Sequence, residues 1–191
     1  MRTLFLGLIV SVFGVVTAIS QEPSAAQPYE SPDAYKIYSL LLPHEESYGF
    51  ANGGLIIQQE TEAEYPPVEG ACLSSDVAKR FKDAISDYRR VRETTWLLQR
   101  RFEIEKPYEI VTRDRIALVL KSERDLNIER YPSSGGYIFM SAVGFNKNKT
   151  LAIVFAGSRC GGLCGSARFH FLQKVGEKWK EVPVGTCVTA S

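Results

Sequence analysis

Tyr137–Val182 reads YIFMSAVGFNKNKTLAIVFAGSRCGGLCGSARFHFLQKVGEKWKEV, and it decides the fold. Apolar runs alternate there with turn-forming residues. Tyr137–Phe145 is apolar on both faces, which predicts a central strand. Asn146-Lys147-Asn148-Lys149 reads as a hairpin loop, because asparagine tolerates the left-handed backbone such turns need. Thr150–Ala156 reads as the second strand, Gly157–Gly165 as a cysteine-bearing loop, and Ser166–Lys174 as the third strand. Val175–Lys178 turns the chain into a fourth, Trp179–Val182, which Pro183 stops or confines to an edge. The expected core is an antiparallel meander over residues 137–182.

Working outward, two helices are available to cover this sheet. Ser31-Pro32-Asp33 is a helix start, with a capping serine, proline at the first helical position and an acid in the first turn. Ala34, Ile37, Tyr38 and Leu41 follow at helical spacing, and Pro43 forbids extension. Ser74-Ser75-Asp76 starts the main helix, expected from Ser75 to Arg92. Val77, Phe81, Ala84, Ile85, Tyr88 and Val91 make one apolar stripe along it. Leu55–Thr61 reads as a strand, and Phe102–Val111, interrupted by Pro107, as a broken edge strand. Thr112-Arg113-Asp114 starts a short helix through Ile116, Leu118, Val119 and Leu120. Trp96, Leu97 and Leu98 are expected to be buried in a linker or loose turn. The fold class that follows is α+β: one domain over 31–191, with a C-terminal antiparallel meander packed by two main helices on one face.

The N-terminus carries a different signal. Arg2 precedes an almost wholly apolar run, Leu4–Ala18, and Ala18-Ile19-Ser20 supplies small residues around one larger one. That is the layout of a secretory signal peptide, with cleavage expected near Ser20. The run is about 16 residues, short of the ~20 that cross a bilayer, so no stable span is expected after cleavage. Gln21–Glu30 is rich in Pro, Ser and Ala without periodicity and is expected to be a disordered leader. Export to the periplasm or beyond puts the cysteines in an oxidising compartment.

Charge excludes one class of partner. The 191-residue chain has 23 Lys+Arg and 22 Asp+Glu. Without Arg2 the two are equal, so bulk charge draws the protein to neither nucleic acid nor an anionic membrane. Arg89, Arg90, Arg92, Arg100 and Arg101 make a local basic run, read as a solvated face screened by nearby acids.

Four cysteines, Cys72, Cys160, Cys164 and Cys187, bear on chemistry. Cys160 and Cys164 sit among glycines in an exported chain, which favours a structural disulfide closing the loop. A redox-active pair of the thioredoxin type uses two intervening residues at a helix start, and this pair has three in a glycine loop. A zinc site would need further ligands, such as His170 and Cys187, at a spacing that matches no known set. If Cys160 pairs with Cys164, then Cys72 pairs with Cys187. His44-Glu45-Glu46 reads as a polar loop rather than a ligand set. His170 lies between Phe169 and Phe171 on a strand and so faces away from both. There is no G-x-S-x-G elbow and no phosphate loop. Asn148-Lys149-Thr150 matches a glycosylation sequon that matters only in a eukaryotic secretory route.

Several of these features recur together. Ser141, Val143-Gly144-Phe145-Asn146, Thr150–Phe155, Cys160-Gly161-Gly162-Leu163-Cys164-Gly165 and Gly176-Glu177-Lys178-Trp179-Lys180 form a pattern. It resembles an uncharacterised group of exported bacterial proteins that end in such a meander. The resemblance is strong from Tyr131 on and extends weakly back to Asp33. It departs at Ala142 and at His170. It implies export and a shared fold, and it assigns no reaction. The function expected from the chain is a non-catalytic exported module of the bacterial envelope, binding an envelope protein or a glycan, with no cofactor. The alternatives are a secreted hydrolase using carboxylates or His170, and a thiol-disulfide protein using Cys160 and Cys164.

Overall fold

The structure is a computed structural model and describes residues 26–44, 54–63, 68, 73–118, 136–159, 165–184 and 188–190. In chain order the strands are β1 (Gln27–Pro28), β2 (Leu55–Gln58), β3 (Trp96–Leu97), β4 (Tyr108–Val111), β5 (Tyr137–Met140), β6 (Gly144–Phe145), β7 (Leu151–Arg159), β8 (Gly165–Val175), β9 (Lys178–Glu181) and β10 (Val188–Ala190). The helices are α1 (Pro32–Leu41), α2 (Ser75–Arg80) and α3 (Lys82–Val91), and residues 113–118 are also helical. One mixed sheet runs in the order β10-β8-β7-β5-β2-β4, with β6 on β7 and β9 on β8. β1 and β3 form a separate parallel pair.

The meander is present. β5, β7, β8 and β9 pair antiparallel in succession, with Met140 opposite Ala156, Phe155 opposite Phe169 and Lys174 opposite Trp179. β5 is buried along its length, as a central strand should be. The rest of the sheet is unlike the meander. β2 lies parallel to both β4 and β5, so β4-β2-β5 is a parallel half joined to the antiparallel half at β5. A parallel return needs a long crossover, and α2 and α3 lie within the one from β2 to β4. β4 ends the sheet on the parallel side, and Leu55 donates its backbone N–H to the Pro107 carbonyl at 2.9 Å just before it.

Alternation along the strands builds two cores. Ile57, Ile138, Met140, Val154 and Leu172 face α1 and meet Ile37, Tyr38 and Leu41. Ile56, Phe139, Ile153, Phe155 and Phe171 face the other way and meet Phe81, Ile85 and Tyr88. The main helices therefore stand on opposite faces, which corrects the expectation that both cover one face. The reason is on the strands: β5 and β7 are apolar on both sides, and each side needs its own cover.

Three further expectations are corrected. The helix expected over 75–92 is two: Phe81 closes α2 and opens α3 at φ −95° and ψ 9°. Phe81 is fully buried, edge-on to Phe171 at 5.1 Å between ring centres. The first meander strand breaks at Ser141–Val143 into β5 and β6. The leader expected to be disordered through Glu30 pairs as β1 with β3, and Tyr29 is buried. Its aromatic ring supplies the reason, since burying it offsets the entropy of fixing the few residues around it.

Candidate functional site

Three tyrosines tie the N-terminal segment to the sheet. Tyr29, Tyr35 and Tyr38 have ring centres about 6 Å apart, and Phe102 and Trp96 extend the cluster. Their hydroxyls go to backbone groups that would otherwise be buried unpaired. Tyr38 donates to the Ser141 carbonyl at 2.8 Å, Tyr35 donates to the Tyr29 carbonyl at 3.0 Å, and the Tyr29 hydroxyl accepts from Val143 N–H at 3.0 Å. Burial pushes the Tyr29 phenol up to about 12, against the weaker opposing effect of the hydrogen bond it accepts from the Val143 N–H. Tyr38 and Tyr88 are raised by burial too.

Beside this cluster lies an open groove of about 610 Å³. β1 and the residues up to Ser31 form one side, α3 another, and the hairpin between β6 and β7 the third. The hairpin is shaped by Asn146, whose side-chain carbonyl accepts from the backbone of Thr150 at 2.8 Å and Leu151 at 2.9 Å. Lys149 takes the left-handed conformation at φ 50°. The turn thereby carries Lys147 and Lys149 to the lip of the groove, both exposed. Lys149 also lies over the Phe145 ring, 5.7 Å from its centre. Trp96 and Phe145 contribute half-buried aromatic surface. The acid in the groove wall, Asp87, is occupied twice: Oδ1 pairs with Arg90 at 2.6 Å and Oδ2 accepts from Phe145 N–H at 2.9 Å.

The residues singled out in the sequence stand elsewhere. His170 is fully buried on the α1 side of β8, with Nδ1 2.8 Å from Glu181 Oε1. It does not line the groove. The buried Ser158 of β7 stands apart from His170. Ser158 pairs with Ser166, four residues from His170 along β8, or about 13 Å at the rise of a strand. Cys72, Cys160, Cys164 and Cys187, the leader over 1–20 and the Glu45-Glu46 pair lie outside the described residues, as does the side chain of His44. Four arginines of the basic run go to four different partners. Arg90 pairs with Asp87, Arg92 donates to the Ala63 carbonyl at 2.8 Å, Arg100 lies over Tyr108 and Arg101 over Tyr35.

A second polar cluster sits at the carboxyl ends of the parallel strands, where open α/β sheets place ligands. Glu60 Oε2 accepts from Arg113 N–H at 2.8 Å, and buried Glu62 lies 3.5 Å from the Arg113 guanidinium. Its groups are held by one another. Among the described residues no three of His, Cys, Asp and Glu stand where they would hold a metal ion, and no helix is long and apolar enough to cross a membrane.

Sequence reasoning missed the groove. Tyr29 lies in a segment whose composition signals disorder, and Trp96 in one without periodicity. Lys147 and Lys149 read as turn residues, which they are, and only the hairpin's position over α3 turns them toward a site. Set against protein-family models, curated proteins and solved structures, the chain matches none.

Proposed function

We propose that the protein is an exported, non-catalytic binding module of the bacterial envelope, and that the groove between β1, α3 and the β6–β7 hairpin is its binding site. The observation that carries this reading is the groove itself. It combines aromatic walls, exposed lysines and a carboxylate already committed to structure, the composition of a recognition surface rather than of a reacting centre. Export, with cleavage near Ser20, rests on the leader's layout. The disulfides Cys160–Cys164 and Cys72–Cys187 belong to the same reading. The first is supported by the strands around it: Arg159 and Gly165 are cross-strand partners, so the connection 160–164 starts and ends at adjacent positions. Mass mapping without reductant tests both pairings, and an alkylated Cys72 or Cys187 sinks the second.

The binding test uses the mature chain, residues 21–191, labelled and incubated with an isolated bacterial envelope fraction. Saturable retention is expected, reduced at least tenfold by the double substitution Lys147→Gln and Lys149→Asn. Asparagine is chosen at 149 because it accepts the left-handed backbone there. Retention unchanged in the double variant refutes the groove as the site.

One observation favours a second reading, a hydrolase. His170 has a carboxylate within hydrogen-bond reach, the arrangement that orients a catalytic base. Its complete burial opposes this, since a base must reach its substrate. Hydrolysis of an ester or glycoside probe by the mature chain, abolished by His170→Gln in a variant that melts as the parent does, would establish it.

A further inference from the structure

We propose that the groove takes an anionic glycan: a carboxylated or phosphorylated sugar segment a few units long. This rests on the groove being the binding site. Three features of the groove carry it. Charge is the first. With Asp87 held by Arg90 and the Phe145 N–H, the remaining charged side chains of the lining are Lys147 and Lys149 against Glu30. Both lysines are exposed at the groove's lip, Lys149 with its ammonium over the Phe145 ring, where an anion in the groove can reach them.

The second is the backbone of the wall. An extended peptide docks by adding a strand to a free edge, and it needs a row of donors and acceptors. The edge available here, β1, is two residues long, and one of the two is Pro28, which has no N–H to give. Strand addition therefore has almost nothing to pair with, and recognition falls to side chains. The third is the aromatic surface of Trp96 and Phe145 in an open volume of about 610 Å³. That size holds a ligand of two or three sugar rings, within the ~300–1,000 Å³ of small-ligand sites. Sugar C–H faces lie flat on aromatic faces while acidic substituents reach the lysines at the lip.

The test is titration of the mature chain followed by tryptophan fluorescence, since Trp96 lines the groove. The probes are trigalacturonic acid (carboxylated trisaccharide), maltotriose (neutral trisaccharide) and triglutamate (charge without sugar). Trigalacturonic acid is expected to bind at least tenfold more tightly than either of the others. Its affinity is expected to fall at least tenfold in the Lys147→Gln, Lys149→Asn double variant, whose melting temperature confirms folding. The affinity is also expected to weaken as salt rises. Maltotriose binding within threefold of trigalacturonic acid overturns the anionic part. Triglutamate binding as tightly overturns the glycan part, and the lack of any trigalacturonic acid binding overturns both. If trigalacturonic acid fails while envelope retention still depends on the two lysines, the groove stands and the ligand class falls. If retention ignores the lysines, the groove falls with it.

Discussion

At the scale of single residues, Ser141 does the most with the least. It stands where β5 gives way to β6, fully buried. Its hydroxyl accepts from Phe155 N–H at 2.9 Å and donates to the Ala142 carbonyl at 2.9 Å, while its own carbonyl accepts from Tyr38. The side chain thus completes the pairing of β7 at the point where the neighbouring strand departs from ladder geometry. Ser141→Ala removes the buried hydroxyl that accepts from the Phe155 N–H and donates to the Ala142 carbonyl, and a loss of about 1–3 kcal/mol is expected, read from urea denaturation midpoints. Substitution of the exposed Lys147 should leave the same midpoint unchanged. The serine's role was not legible in the chain, because nothing in MSAV marks a strand break. The hairpin residue Asn146 was, since its side chain makes a local bond that any nearby turn would invite. Local chemistry is readable, whereas Ser141's partners lie on β7 and α1.

At the scale of elements, the apolar stripe of α2 and α3 was legible and its interruption was not. Phe81 and Ile85 keep the helical hydrogen-bond spacing across the break, with Phe81 N–H to Val77 O and Ile85 N–H to Phe81 O each 2.9 Å. No glycine or proline announces it. Phe81→Ala removes a fully buried ring from the Phe171 face and is expected to cost about 3–5 kcal/mol, with the loss seen in thermal or urea unfolding. The fit of α3 to the sheet is equally demanding at Gly144. A Cβ there would run into the α3 backbone at Ala84 and Tyr88, so the helix lies directly on β6. Gly144→Ala is expected to destabilise by about 1–3 kcal/mol and to widen the groove, which α3 and the β6–β7 hairpin share. A fall in stability without any change in binding would detach the groove from this contact. The short strands β2 and β4 were readable as strands, but their parallel pairing was not, because four apolar residues carry no record of their partner.

At the scale of the whole molecule, buried phenols set the alkaline limit. Tyr29, Tyr35, Tyr38, Tyr88 and Tyr137 are all raised above the ordinary value of 10.0, each chiefly by burial. A raised phenol keeps its proton in the folded state at a pH where the unfolded chain has lost it. The unfolded state then binds fewer protons, so stability is fully present below pH 10 and falls as pH rises. For Tyr29 the loss runs from 10 to about 12. Urea midpoints measured across that window are expected to drop steadily, and Tyr29→Phe to flatten the slope. An unchanged slope would show that the tyrosine cluster opens to water before the protein unfolds. The seam between the two halves of the sheet has a consequence for how the chain finds its shape. From Tyr137 to Glu181 each pairing joins neighbours, so that half can assemble by successive hairpins. The join of Ile57 to Ile138 closes about eighty residues of chain, and that of Leu55 to Tyr108 about fifty. Long closures are slow. Pulse-labelled amides of β7 and β8 should therefore become protected first during refolding and those of β2 and β4 last, which leaves a half-built sheet whose β5 edge stays open to other chains until β2 arrives.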